Sequence, residues 1–449
     1  MSATAAEQLA KHFVNLKASD IPKVKIAECK ALVRDYLGVA LGGSVTGSGK
    51  AARAFALDVG GKAENTLIGY GDKVPAVHGA LVNAISSHSI ELDDVDILAL
   101  FHFSPPVVSA ALAAAERESA SGEEFIAAVV AGCDMMARAS DATNFSLRNR
   151  GYHTTPVCGV FGATVAAARL FKLTEAQTVS ALGMAGAQAS GLMEMYGPSM
   201  QKRFNPGPAA RNGVTAAQMA KHGFTGTATI FEGERGFCAA FSDEWDASKL
   251  TENLASGYPI HIEYKAYSCA RPIHNAIDCA LAVRSQLKEP LGAIKSMTMR
   301  RHPTWAKYHL NTRPKTYHEA QVSLPYSVAV ALIEGAALFP QYQNEKLGDP
   351  EILRLSDLLK VVPDDSLPRG VSCHLVVETA GGAKLESQVD HPKGSIANPM
   401  TDEEMRRKVH LLGDPVLGAD QVNRMIAAID DVEKLDNIST LTRLTAPGG

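Results

Sequence analysis

Apolar residues recur at helical spacing from the start of the chain. Leu9, Phe13 and Leu16 form one stripe that stops at Asp20-Ile21-Pro22, which predicts a helix from Ala5 to about Leu16. Val24, Ala27, Ala31, Leu32 and Leu37 form a second stripe, closed by Gly42-Gly43. From Val77 to about His222 the chain is alanine-rich, as in GALVNAISSHS, SAALAAAERESA and GVFGATVAAARLF. Small side chains at helical spacing let helix axes approach closely, so this region predicts a compact helical bundle. Gly159, Gly162, Gly183, Gly186 and Gly191 within it predict close backbone packing or loops beside a ligand.

The periodicity changes after about Tyr264. Ile294 to Arg301 alternates with period two, and Val371 to Asp390 holds two strand-like runs divided by Gly381-Gly382, a hairpin pattern. Glu319 to Leu338 returns to helical spacing. After Asn398-Pro399-Met400, TDEEMRRKV predicts a capped helix that continues to the C-terminus. The order helical, mixed, helical predicts a mainly α protein. Its all-helical domain comprises residues 1–265 plus 398–449, with an inserted smaller α+β lid domain at residues 266–397.

Composition narrows the function classes. The 449 residues include 44 Lys plus Arg against 48 Asp plus Glu, a formal charge of -4, with only 6% aromatics. No basic block or aromatic-basic interleaving predicts a nucleic-acid partner. The N-terminus lacks the pattern of a secretory signal and the apolar windows are too short to span a bilayer. Seven dispersed cysteines fit reduced thiols, so the expectation is a soluble, cytoplasmic protein with no membrane partner. The stretch GGSVTGSGKAA imitates a phosphate loop, but Ser44 stands at the first glycine position and Ala51 follows Lys50. A flexible surface loop is expected instead.

Polar residues that packing does not explain fall in five stretches. Glu91, Asp93, Asp94 and Asp96 crowd together ahead of His102; such a group must be solvated, paired with cations or kept for chemistry. His153 lies in GYHTTP, Lys202-Arg203 in MQKRFNPG, Lys265 and His274 in KAYSCARPIH, and Tyr326 in LPY. Taken together, two histidines, several cations, carboxylates and a tyrosine could bind a small polyanion and move a proton at a carbon beside a carboxylate. An imidazole titrates near neutrality and can serve as base or acid.

These stretches resemble the MmgE/PrpD family of 2-methylcitrate dehydratases. The resemblance spans nearly the whole chain. It rests on Asp93-Asp94 with His102 eight residues later, on Gly151–Phe171, on Lys202–Gly226 and on Lys265–Asp278. It implies a helical domain with a smaller α+β lid, a homodimer, and no requirement for metal or organic cofactor. It places His102, His153, Lys202, Lys265 and Tyr326 as catalytic residues, and Glu91, Asp93, Asp94, Arg203 and His274 as substrate-binding ones. Glu91, Val95, Phe103 and Phe204 depart from the family pattern, and Ala270 stands where the decarboxylase branch carries a histidine. The first reading is therefore a 2-methylcitrate dehydratase-like hydro-lyase acting on a small di- or tricarboxylate. An epimerase of an iminodisuccinate-like substrate comes second, a cis-aconitate-type decarboxylase third and a non-catalytic polyanion-binding protein last.

Overall fold

The computed structural model describes residues 3–195 and 197–449, apart from the side chain of Asn144. The protein is mainly helical. Its first helix, Ala5–Asn15, opens with a capping box between Thr4 and Glu7 and buries Leu9 and Phe13.

The second helix, Lys23–Ser44, runs through Gly42-Gly43 instead of ending there. The glycines are contact points. A Cβ on Gly43 would collide with the Ser86 carbonyl, and one on Gly42 would press on Leu412 and Ile90. GSGKAA is likewise no surface loop but the start of the helix Gly47–Val59. The Thr46 hydroxyl accepts from the Gly49 N–H at 3.2 Å, and Ser48 reaches the Ser89 hydroxyl at 2.7 Å. Local capping and burial override the glycine-rich composition there.

The alanine-rich region forms the helices Ala76–Ser87, Ser104–Glu118, Gly122–Asn149, Thr154–Leu170, Glu175–Gly186 and Pro206–Lys221. They share one apolar core with the N-terminal helices. A Cβ on Gly162 would come within 2.6 Å of the Gly132 carbonyl, so Gly122–Asn149 and Thr154–Leu170 approach almost backbone to backbone.

Residues between Cys269 and Val377 supply a second apolar core. Ile294–Arg301 is one of the two inner strands of a four-stranded sheet. It pairs in parallel with Leu359–Pro363 and antiparallel with Cys373–Thr379, which continues to Lys384–Val389. Met297, Met299, Leu375 and Val377 bury side chains beneath the helices His274–Gln286 and Leu324–Glu334.

The C-terminal helical stretch is not one helix. Asp402–Leu417 gives way at Gly418, with φ 84°, to Ala419–Asp430. Asp402–Leu417 returns to the helical core, where Lys408 pairs with Asp35 at 2.7 Å and donates to the Leu92 carbonyl at 2.6 Å. A second tie comes from the short antiparallel pairing of Asp94 with Tyr264 and of Val95 with Glu263. These two ties bring the acidic run and Lys265 together.

Adding a methyl at a close helix crossing tests this packing. Gly43→Ala should destabilise the fold by about 1–3 kcal/mol, read as a lower denaturation midpoint. An unchanged midpoint would contradict the close approach to Ser86.

Candidate active site

The acidic run is buried, not solvated, and its charges are compensated one by one. Glu91 is fully buried. Its carboxylate accepts from Lys202 Nζ, from Arg203 Nη1 at 2.7 Å and from Lys265 Nζ at 3.1 Å. Burial by itself would raise its pKa, but the three cations outweigh that and hold it well below the carboxylate range. The two lysines shift in opposite directions. Lys202 is brought down to about 8, because burial together with Lys265 and Arg203 outweighs its share of Glu91. Lys265 is raised despite burial, since it also faces Asp93 at 3.6 Å.

Asp93 organises two imidazoles. Its Oδ2 lies 2.7 Å from His88 Nδ1 and 3.2 Å from His102 Nδ1. His102 Nδ1 also meets the Asp94 carbonyl. Carbonyl and ionised carboxylate oxygens only accept, so His102 carries its proton on Nδ1 and keeps a bare Nε2. His153 is arranged the other way. Asn205 donates its amide Nδ2 to His153 Nδ1 at 3.1 Å and also points Nδ2 at the Leu192 carbonyl, 3.5 Å away. His153 therefore carries its proton on Nε2. Burial is the chief reason that both imidazoles are neutral: His102 is lowered to about 3, and His153 well below its ordinary value.

Both rings line a cavity of about 70 Å³, together with Glu91, Val95, Leu100, Arg148, Lys202, Lys265, Ala270, Arg271, Trp305 and His309. Four cations and one carboxylate face it. Arg271 is paired with Glu263 at 2.5 Å, whereas Arg148 donates to the Met193 sulfur at 3.6 Å and forms no ion pair among the described residues. Counting Arg203, Asp93 and Glu263 behind the wall, positive charge remains in surplus. A cavity with excess cations and neutral imidazoles is suited to an anion.

His88, Asp93 and His102 have donor atoms within 4.8 Å of one another, a spacing compatible with a metal. Asp93 Oδ2 is already held by both imidazoles, and Lys265 stands 3.6 Å from its other oxygen. A cation would meet like charge there, so the trio reads as a hydrogen-bonded unit.

Residues 7–249 match the MmgE/PrpD N-terminal domain, and residues 267–434 match the MmgE/PrpD C-terminal domain. The chain belongs to the MmgE/PrpD family. Similar curated proteins include a cis-aconitate decarboxylase-like protein, oryM, of Aspergillus oryzae, 28% identical with 97% of this chain and 96% of that one covered. The cis-aconitate decarboxylase of Aspergillus terreus is 26% identical, covering 96% and 93%. That of Homo sapiens is 25% identical, covering 99% and 95%.

For this MmgE/PrpD chain, His102, His153, Lys202, Lys265 and Glu91 converge on one cavity. Asp93 and Arg203 stand behind its wall. Three expected residues lie elsewhere. The Tyr326 hydroxyl donates to the Gln341 carbonyl at 2.9 Å within the second apolar core, so it is a packing residue of the helix Leu324–Glu334. Asp94 accepts the Phe103 and Ser104 N–H groups at 2.8 and 3.1 Å, anchoring the start of the helix Ser104–Glu118. Burial and Asp93 push that carboxyl up to about 7. His274 is buried against the Cys269 carbonyl and the Tyr267 ring. Of the apolar departures, Val95 lines the cavity, Phe103 is core, and Phe204 is 51% exposed and borders a separate apolar groove.

Sequence reading missed His88, Arg148, Arg271, Trp305 and His309. His88 lies only three residues before Glu91, and Arg271 is inside the Lys265 stretch, so both were within reach. Arg148 ends a long helix, and Trp305 and His309 follow a strand without any pattern to mark them.

The three-way neutralisation at Glu91 is testable. Glu91→Gln should destabilise the protein by about 3–5 kcal/mol, because it leaves buried cations uncompensated. Urea denaturation reads the loss, and a shift under about 1 kcal/mol would mean that water already screens these groups.

Proposed function

We propose that this chain is a cofactor-independent lyase acting on a small di- or tricarboxylate, with elimination of water as the first reading. The observation that carries it is the pair of oppositely tautomerised imidazoles in one positively charged cavity. His102 Nε2 takes the proton from the carbon beside a carboxylate, and the C–H electrons become the new double bond as the C–O bond breaks. His153 is neutral and would have to become imidazolate to give up its Nε2 proton, so it acts as a hydrogen-bond donor to developing negative charge. Lys202, brought down to about 8, is the group suited to protonate the departing hydroxyl. The proton on His102 then restores Lys202, and both return to their starting states.

Decarboxylation is the second reading, favoured by the names of the fungal and mammalian relatives. Assembly as a cytoplasmic homodimer, and the division into a helical domain and a lid over residues 266–397, belong to the same proposal. They rest on the family resemblance and on the separate apolar core.

Proton NMR in heavy water with a panel of di- and tricarboxylates decides between the reactions. Alkene signals without loss of carbon dioxide support dehydration, whereas deuterium uptake alone supports epimerisation. No exchange with any member would overturn the lyase. On a turned-over substrate, His102→Gln should lower kcat by about 10²–10⁴-fold; near wild-type rates would remove it as base.

The pH profile follows from the same assignments. His102 is deprotonated above about 3 and Lys202 protonated below about 8. Hence kcat/KM should be level through neutral pH and fall as pH rises past 8. Lys202→Arg keeps the charge but gives up its proton poorly, so it should lower kcat and abolish that alkaline limb. An unchanged limb in this variant would reassign it to another group.

A further inference from the structure

His309 is an imidazole in the cavity wall that the proton transfers do not use. It follows the strand Ile294–Arg301 and lines the same space as His102, His153, Lys202 and Lys265. Its backbone has φ 65°, the left-handed region that a histidine seldom occupies. Such a conformation persists only when its surroundings impose it. Here the Leu324 N–H donates to the His309 carbonyl at 2.9 Å, and His309 Nδ1 donates to the Val322 carbonyl at 3.0 Å. Trp305 lies nearly parallel to the ring, 11° apart in plane with centroids at 6.4 Å. Arg301, fully buried, ties this segment to the cavity wall by donating to the Trp305 carbonyl at 3.2 Å and the Pro272 carbonyl at 2.6 Å.

The Val322 carbonyl can only accept, so the His309 proton is on Nδ1 and Nε2 offers a bare lone pair. Burial and Arg301 keep the ring neutral, at about 4. This nitrogen differs from His102 Nε2, since no carboxylate backs it. A bare acceptor facing a substrate carboxylate would be repulsive, so it calls for a hydrogen-bond donor on the ligand. An ammonium is disfavoured by the surplus of cations, and a hydroxyl is the neutral donor that a small hydroxylated carboxylate supplies.

We infer that His309 is a substrate-recognition residue whose Nε2 accepts a hydrogen bond from a hydroxyl group of the bound carboxylate. The inference rests on the carboxylate reading above and adds to it the group that distinguishes a hydroxylated ligand from its deoxy counterpart.

Citrate and tricarballylate, which differ by one hydroxyl, are the probes. Calorimetry gives their affinities for wild type, His309→Gly and His309→Asn. Fluorescence of Trp305 in a Trp245→Phe background gives an independent measure, since the chain has only these two tryptophans. Wild type should prefer citrate by about tenfold. His309→Gly should lose that preference by weakening citrate alone, and its melting temperature should not fall, because glycine relaxes the left-handed backbone. His309→Asn, which also tolerates this conformation, guards against a glycine-specific effect. Equal weakening of both ligands, or a preserved preference, overturns the role of His309 while leaving the carboxylate reading in place. Binding of neither ligand to wild type overturns both.

Discussion

One buried carboxylate holds the site together. Glu91 joins Lys202, Arg203 and Lys265, which come from two distant segments and would otherwise repel one another in a buried cavity wall. The arrangement carries its own cost, since Glu91 sits at φ 54° in the left-handed region. The local strain is offset by three charge-assisted hydrogen bonds. Because one carboxylate serves three cations, it cannot satisfy any of them fully, and the cavity keeps the positive potential that an anionic ligand needs.

Proton placement is the second layer. Asp93 and the Asp94 carbonyl put a proton on one side of His102, and Asn205 puts one on the opposite side of His153. Two residues of the same type thereby acquire different chemistry, and neither difference comes from the ring itself. The Val322 carbonyl does the same for His309. Neutral rings are maintained by burial, so the cavity can be rich in imidazole without adding to its own positive charge.

Much of the helical architecture was legible because small and apolar residues recur with period 3.6, and the sheet because Ile294–Arg301 and the Gly381-Gly382 hairpin alternate cleanly. The Gly42-Gly43 pair misled for a physical reason: sequence does not distinguish a glycine that ends a helix from one that lets Ser86 approach it. Within the site, residues that stand in unusual local company were readable, namely the acidic run, His102, Lys202 and Lys265. Trp305 and His309 were not, because the cavity they line is built by residues distant in the chain. Tyr326 shows the converse, a polar residue whose hydroxyl finds a carbonyl and becomes part of the core.

The bond from Lys408 to the Leu92 carbonyl joins residues 316 apart in sequence. A chain emerging from the ribosome can fold its alanine-rich helices early, but the loop carrying Glu91 and Asp93 lacks this clamp until Lys408 has been synthesised. Assembly of the charge cluster therefore waits on a residue made more than three hundred positions after Glu91, although the helices around it can form first.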